Sequence, residues 1–398
     1  MKLFVLKKET TVFDVFFALL VFTIPLSFAL PNIFLVLAFL TFLVKKNKEK
    51  TNLYVKLVLL FAAFLILKAL FNKDLIEGFF IYKHLIAFVV ISILVFNISN
   101  LTLVKKGFVL GVLFAVILTV LQIISYYLEH NSIPLGNTAE AGELLLIHRP
   151  YFGFICFLGI VCCTDLNNTA KSLKEKVFCK VIITLFIIFI YLIAARLAIG
   201  LVIIYLFITL LQRVNLSKKK LFLLIGVFIG LILLLVINNK NLKKRLHIEN
   251  TFDKTVQVIS NQEPRVVIWS CFFKLIKKPN FNYFTGYNDV KSIQFILNDC
   301  YKHSIENVSK NKYYLKTKFN THNQFFDFYL QGGIIGLFLF ILIFCYSLYY
   351  LRFSFVGLFV VFSFILFLIV ENLFHRQLGV YLLGVFMPLF LKPQINKS

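Results

Sequence analysis

The sequence lacks the motifs by which enzymes hold nucleotides and metal ions. It contains neither a Walker-type phosphate loop nor a glycine-rich dinucleotide fingerprint. Its seven cysteines and seven histidines follow no spacing typical of a metal site. We therefore expect no nucleotide cofactor and no bound metal.

Acidic residues are also scarce, which leaves a strongly basic chain. Asp and Glu number 18 against 42 Lys and Arg, a formal net charge of +24. The positive charge lies mostly in short segments between apolar runs, where it marks the loops that stay inside a membrane. No compact basic fold or base-stacking module accompanies it. The charge thus indicates membrane topology, and we expect no nucleic-acid partner.

Apolar residues are abundant instead. They make up 60% of the 398 residues, and Phe alone accounts for 49, whereas soluble domains are about 45–50% apolar. Apolar runs of roughly 17–20 residues recur along the chain, the length of a helix that crosses a bilayer. The composition predicts an all-α polytopic membrane protein that contacts membrane lipids.

Twelve membrane spans are predicted, with both termini in the cytoplasm. Under this count every short basic loop falls on one side of the membrane. The spans cover about 11–29, 32–44, 54–71, 79–97, 107–128, 151–163, 178–194, 197–212, 221–238, 332–350, 354–370 and 377–391.

A long polar stretch separates spans nine and ten. It runs for roughly 90 residues, too long for a simple connector, and by parity it lies outside. The prediction therefore divides the chain into a membrane domain at 1–238, a periplasmic loop at 239–328 and a second membrane domain at 329–398.

Inside this loop, Glu263-Pro264-Arg265 predicts the start of a helix that lies on the membrane surface. The part from 288 to 320 is predicted to be irregular and lysine-rich. Cys271 and Cys300 also fall in the loop, where an oxidising compartment would permit a disulfide.

Arginine is used sparingly, and its placement is uneven. Of the seven arginines, five fall at or near the predicted outer side: Arg149, Arg196, Arg245, Arg265 and Arg376. The guanidinium fork binds phosphate oxygens through two parallel hydrogen bonds, which lysine cannot match. The group therefore predicts a phosphate-bearing ligand. The alternative is that these side chains anchor the protein at the membrane interface.

The polar start of span ten carries a candidate catalytic residue. His322 and Asp327 precede Gly332-Gly333 and Gly336, and glycines let a backbone bend or be approached closely. Imidazoles titrate near neutrality, which suits a general base. We predict this role for His322; an ordinary interfacial histidine is the alternative.

Several of these features occur in one order: Arg196 between two spans, Arg265-x-x-x-Trp269, a turn at Gly286, and His322-Asn323 before Gly-Gly-x-x-Gly-Leu. This order resembles the O-antigen ligase and O-antigen polymerase superfamily of membrane glycosyltransferases. The stretch Glu371–Gln377 also resembles that family's C-terminal pattern. As architecture the resemblance covers most of the chain, and as motif it covers about 80 residues.

The resemblance implies an enzyme that takes a glycan from undecaprenyl pyrophosphate at the periplasmic face of the bacterial inner membrane. Ligases place the glycan on lipid A-core oligosaccharide, whereas polymerases place it on another lipid-linked repeat unit. Arg196 and Arg265 match arginines that bind the pyrophosphate, and His322 matches the histidine assigned to the acceptor. Weaker or supporting matches are Arg149, Trp269, Asn323, Glu371 and Arg376.

Two further assignments compete with an O-antigen ligase. A polymerase fits the same motifs, although the position of the loop and the His-Asn pair favour a ligase. A lipid-linked sugar transporter should carry charge at mid-membrane depth and lack a long outer loop. Here the charge gathers at one side, with Lys68 and Lys83 as the main exceptions.

Overall fold

The computed structural model describes residues 10–46, 48–72, 78–131, 144–213 and 263–395, with the single residues 142, 226 and 230. This part of the chain contains 14 α-helices and one short 3-10 helix and no β-strand. The prediction of an all-α protein is therefore confirmed. In chain order the helices are α1 Val12–Thr23, α2 Leu30–Leu43, α3 Leu53–Phe71, α4 Phe79–Phe96, α5 Leu101–His130, α6 Arg149–Thr169, α7 Leu173–Leu192, α8 Arg196–Arg213, α9 Pro264–Leu275, α10 Val290–Ser304, α11 Val308–Thr317, α12 Gln324–Leu351, α13 Phe355–Val370, the 3-10 helix Leu373–His375, and α14 Gln377–Ile395.

Five of the described helices are long and apolar enough to cross a membrane, namely α3, α5, α6, α12 and α14. Helices α1, α2, α4, α8 and α13 are apolar but shorter. Each predicted span except the ninth overlaps a helix. Apart from residues 226 and 230, the ninth span lies outside the described residues, as do Arg245 and the loop up to residue 262, so the count of twelve stays a prediction.

The chain divides into two compact units, Met1–Phe34 with Asn100–Ile259 and Leu35–Ser99 with Ser260–Ser398. In the first unit α1 packs along α5, α5 packs on α6, and α6 contacts both α7 and α8. Glycine permits the close α1–α5 contact, because a Cβ on Gly111 would stand 2.1 Å from the carbonyl oxygen of Phe22.

In the second unit α4 packs on α14, and α12 contacts α3, α13 and α14. Phenylalanine rings fill the centre: the Phe328 ring lies 4.7 Å from that of Phe340, 4.9 Å from Phe61 and 5.0 Å from Phe374. The pairs meet edge to face, the geometry that aromatic rings prefer.

Helices α10 and α11 show that the prediction of an irregular segment at 288–320 is wrong. The buried residues of α10 recur at helical spacing: Ile293, Ile296, Leu297, Cys300 and Tyr301. Caps support both helices, with the Asp289 side chain accepting from the Ser292 N–H and the Asn307 side chain from that of Lys310. The helical spacing of these apolar residues was not recognised in the sequence, because the many lysines lower the mean hydropathy of the segment.

Cys271 in α9 and Cys300 in α10 form a disulfide, with their Cα atoms 5.9 Å apart. They lie in a small core with Ile268, Leu275 and Tyr287. A cross-link over a loop of this length stabilises a fold by about 3–4 kcal/mol in the chain-entropy treatment. The disulfide that the sequence left open thus joins α9 to α10.

Helix α12 breaks at Gly333, where φ is 59° and ψ is −158°. The turn around Gly286 fills the break: the Tyr287 N–H donates to Leu330 O at 2.8 Å and the Ile334 N–H to Tyr283 O at 2.9 Å. A Cβ on Gly333 would stand 2.3 Å from the Phe284 backbone, so only glycine fits there. The bend predicted from the glycines is confirmed.

Lys68 of α3 stabilises the same break. Its Nζ donates to the backbone carbonyls of Thr285, Tyr287 and Gln331. A lysine at membrane depth is costly unless such partners satisfy it. The charge that stood out in the sequence therefore serves to hold the backbone of α12 and the turn together.

Candidate functional site

His322 stands just before α12 in an unusual backbone conformation. Its φ of 44° lies in the left-handed region, which few residues other than glycine adopt and which histidine enters more readily than most. Its N–H donates to Asn320 Oδ1 at 3.0 Å, and its side chain is 25% exposed. Backbone strain of this kind concentrates at functional sites and persists only where the surroundings hold it.

The surroundings of His322 do hold it, through hydrogen bonds to the segment after α13. The Asn372 side chain donates to Thr321 Oγ1 at 3.0 Å. The Phe374 N–H donates to the Gln324 side chain at 2.9 Å. The two segments on either side of His322 are thereby fixed to the residues that follow Glu371.

Glu371 lies between a histidine and an arginine. Its Oε2 is 3.6 Å from His322 Nδ1, and its Oε1 is 3.3 Å from Arg265 Nη2. The Glu371 side chain is only 8% exposed. Among the described residues, the buried Nδ1 of His322 has no hydrogen-bond partner. A modest closure would give it one, so the arrangement is that of a base beside an orienting carboxylate.

Arg265 connects this pair to α9 and to the end of α13. Its Nε and Nη2 donate to Val370 O at 3.2 and 2.9 Å, and its Nη1 lies 3.6 Å from Glu263 Oε2. One edge of the guanidinium is thus occupied by the backbone next to Glu371. Pro264 starts the helix and places Arg265 in its first turn, as predicted.

In the first unit, Arg149 and Arg196 come together. Arg149 begins α6 and is 5% exposed, and Arg196 begins α8 close enough to act on it electrostatically. Gly153 allows this approach, because a Cβ there would stand 2.4 Å from Ala195 Cβ. Two neighbouring guanidinium groups, one buried and one partly exposed, make a site suited to an anion.

Residues 181–341 match a family model described as O-antigen ligase. This part of the chain, from α7 into α12, is similar to the O-antigen ligase family. The matched range contains Arg196, Arg265 and His322, whereas Arg149 and Glu371 lie outside it. No curated protein matches the chain. Together with the apolar helices, the match describes a multi-pass bacterial membrane protein of a glycosyltransferase-like family.

A second histidine–carboxylate pair joins the segment after Glu371 to the first turn of α12. His375 Nε2 is 2.9 Å from Asp327 Oδ2, which also accepts from Gln331 at 2.8 Å. Burial would lower the pKa of His375, but the charge and hydrogen bond of Asp327 outweigh it and raise that pKa. The raised pKa of His375 contributes to the stability of the fold at pH values below the ordinary pKa of histidine. This contribution is lost as the pH rises through the pKa of His375 in the folded protein.

The remaining predicted residues have mainly structural contacts. Asn323 is buried and caps α12, its side chain accepting from the N–H groups of Phe325 and Phe326. Trp269 packs edge-on against Phe326, with ring centroids 5.7 Å apart. Its Nε1 is buried without a hydrogen-bond partner among the described residues. Arg376 is exposed and follows the 3-10 helix.

The structure therefore brings Arg265, Glu371 and His322 together in one unit, and Arg149 with Arg196 in the other. The sequence did not indicate the roles of Thr321, Asn372 and His375. Their signal was the polar stretch Glu371–Gln377 between two apolar helices, whose partners only the fold reveals.

Proposed function

We propose that this protein transfers a glycan from undecaprenyl pyrophosphate to lipid A-core oligosaccharide, as the similarity of residues 181–341 to the O-antigen ligase family suggests. One observation carries the proposal. A half-buried histidine, held in a strained conformation, presents an unpaired Nδ1 toward Glu371. It lies inside the family match and at the entrance to an apolar helix.

In the proposed reaction, His322 Nε2 accepts the proton of the attacking acceptor hydroxyl. The hydroxyl oxygen forms a bond to the anomeric carbon of the donor as the bond from that carbon to the pyrophosphate breaks. A single displacement of this kind inverts the configuration. The Glu371 carboxylate accepts a hydrogen bond from the Nδ1–H of His322. This hydrogen bond fixes the tautomer of His322, and the negative charge stabilises the imidazolium that forms. The distance of 3.6 Å must shorten by roughly 0.7 Å for this hydrogen bond, as often happens when substrate binds.

The leaving pyrophosphate develops negative charge, and the family resemblance is the reason to assign Arg149, Arg196 and Arg265 to it. Arg149 and Arg196 offer an existing pair of guanidinium groups. Val370 and Glu371 engage Nε and Nη2 of Arg265, so a phosphate oxygen would bind at Nη1, where it would compete with Glu263 Oε2 at 3.6 Å. Fixed cations of this kind stabilise the transition state without a metal.

The proposal places α9–α11 and His322 at the periplasmic face of the inner membrane. The Cys271–Cys300 disulfide supports this side, because disulfides persist in oxidising compartments. We expect Lys310→Cys to react with a membrane-impermeant thiol reagent in whole cells and Lys48→Cys to stay unlabelled. The reverse labelling pattern would overturn the topology and the mechanism together.

Ligase and polymerase differ in the acceptor, and deletion of the gene separates them. If the protein is a ligase, the deletion strain should lose all long glycan chains from lipid A-core on surface-glycan electrophoresis. Core that carries a single repeat unit would identify a polymerase and exclude the ligase. Complementation with the wild-type gene controls for polar effects on neighbouring genes.

One of the two exceptions to the one-sided charge pattern has a structural explanation, which favours the glycosyltransferase over a transporter. Lys68, one of the two charges away from the outer side, donates to three backbone carbonyls at the break in α12. Its position thus has a structural cause. Transfer or donor hydrolysis by purified protein would exclude a pure transporter directly.

A further inference from the structure

Helix α11 leads directly to His322 and presents a basic face. Lys312, Lys316 and Lys318 are exposed, and no acidic residue occurs from 307 to 320. Lys312 and Lys316 are four residues apart and therefore share a face, where like charges destabilise a helix slightly. No carboxylate within α11 offsets this repulsion.

An aromatic shelf connects the basic face to the candidate base. We use this term for Tyr313 and Phe319. The Tyr313 side chain is 57% exposed, its ring lies 5.5 Å from that of Phe319, and Phe319 lies 5.5 Å from the His322 ring. Flat aromatic surfaces of this kind pack against the apolar faces of sugar rings.

The shelf is held rigidly from beneath. Tyr314 is buried and packs against Tyr301 and Phe319, with ring centroids 5.5 and 4.9 Å apart. The Tyr301 hydroxyl and the Gln294 side chain both donate to Phe319 O, at 3.1 and 3.2 Å. Because these contacts fix the shelf before a ligand binds, the entropy cost of binding is low.

We infer that α11 and the aromatic shelf bind the acceptor glycan, and that this acceptor carries phosphate or carboxylate groups. The inference rests on the proposed function, whose acceptor side it specifies. The acceptor must present a hydroxyl to His322, and the shelf ends at that ring. The lysines complement negative charge along the glycan, whereas the arginines remain assigned to the pyrophosphate.

The test compares two acceptors and two matched double variants in a reconstituted transfer assay. The acceptors are a phosphorylated core oligosaccharide and the same oligosaccharide after removal of its phosphates. Lys312→Gln/Lys316→Gln should raise the KM for the phosphorylated acceptor by about tenfold and leave kcat unchanged. A change of about tenfold corresponds to the combined binding free energy expected for two exposed charge contacts. Added salt should raise the wild-type KM and have less effect on the variant.

The control is Lys277→Gln/Lys278→Gln, which removes two charges from the turn after α9 and should leave both KM values unchanged. The inference is wrong if Lys312→Gln/Lys316→Gln keeps the wild-type KM or raises it equally for the phosphate-free acceptor. It is also wrong if the change in KM requires anionic lipid in the bilayer, because the lysines then bind headgroups. Failure of the wild-type protein to transfer to either acceptor would count against the proposed function instead.

Discussion

Replacing His322 with alanine is expected to slow glycan transfer by about 10²–10⁴-fold, the range typical for loss of a general base. The reason is local: His322 is the ring that stands within 3.6 Å of the Glu371 carboxylate at the start of α12. Transfer and donor binding should be measured in the same membranes. Donor binding should survive, since the pyrophosphate is assigned to arginines.

A matched control for His322 exists nearby. His303 ends α10 and its side chain is 71% exposed, so His303→Ala should transfer at the wild-type rate. His322→Gln should retain part of the activity if the ring mainly hydrogen-bonds the acceptor. A wild-type rate for His322→Ala would make His322 an interfacial residue and remove the mechanism.

The features that the sequence predicted correctly are those that depend on local pattern. Apolar runs predicted the helices, and Pro264 predicted the start of α9. Glycines at 286 and 333 predicted a turn and a bend, because only a residue without Cβ tolerates a φ of 74° or 59° there. The family resemblance, confirmed by the match at 181–341, rested on motifs of this local kind.

The features that the sequence missed depend on contacts between distant segments. Glu371 had only a weak match, yet it lies between Arg265 and His322, which precede it by 106 and 49 positions. Lys68 stood out as an exception to the one-sided charge because its carbonyl partners lie more than 200 residues away. No periodicity records such pairings, so only the fold could reveal them.

Helices α10 and α11 were missed for a different reason. Their buried residues do recur at helical spacing, but six lysines between 290 and 320 made the segment look like a solvated loop. The Cys271–Cys300 disulfide and a core that includes Tyr301 and Tyr314 compensate for the low apolar content.

Glu371→Gln is expected to reduce transfer by about 10²-fold, less than loss of the base itself but far more than loss of a surface charge. The amide keeps the size of the side chain and can still accept from Arg265. It removes the negative charge that would stabilise the imidazolium of His322. We expect kcat to fall while the KM for the donor changes little.

Glu263→Gln is the matched control, because Glu263 is the other carboxylate beside Arg265, at 3.6 Å. If Glu371 acts through His322, Glu263→Gln should be nearly silent. Arg265→Lys should also lose most activity, since an ammonium group cannot reproduce the planar fork with which Arg265 contacts Val370 and Glu371. The double variant Arg265→Lys/Glu371→Gln should lose less activity than the two single losses combined. Such non-additivity would indicate that Arg265 and Glu371 act as one coupled unit. Equal losses from Glu263→Gln and Glu371→Gln would instead show that the charge balance around Arg265 matters, and the His322–Glu371 pairing would be wrong.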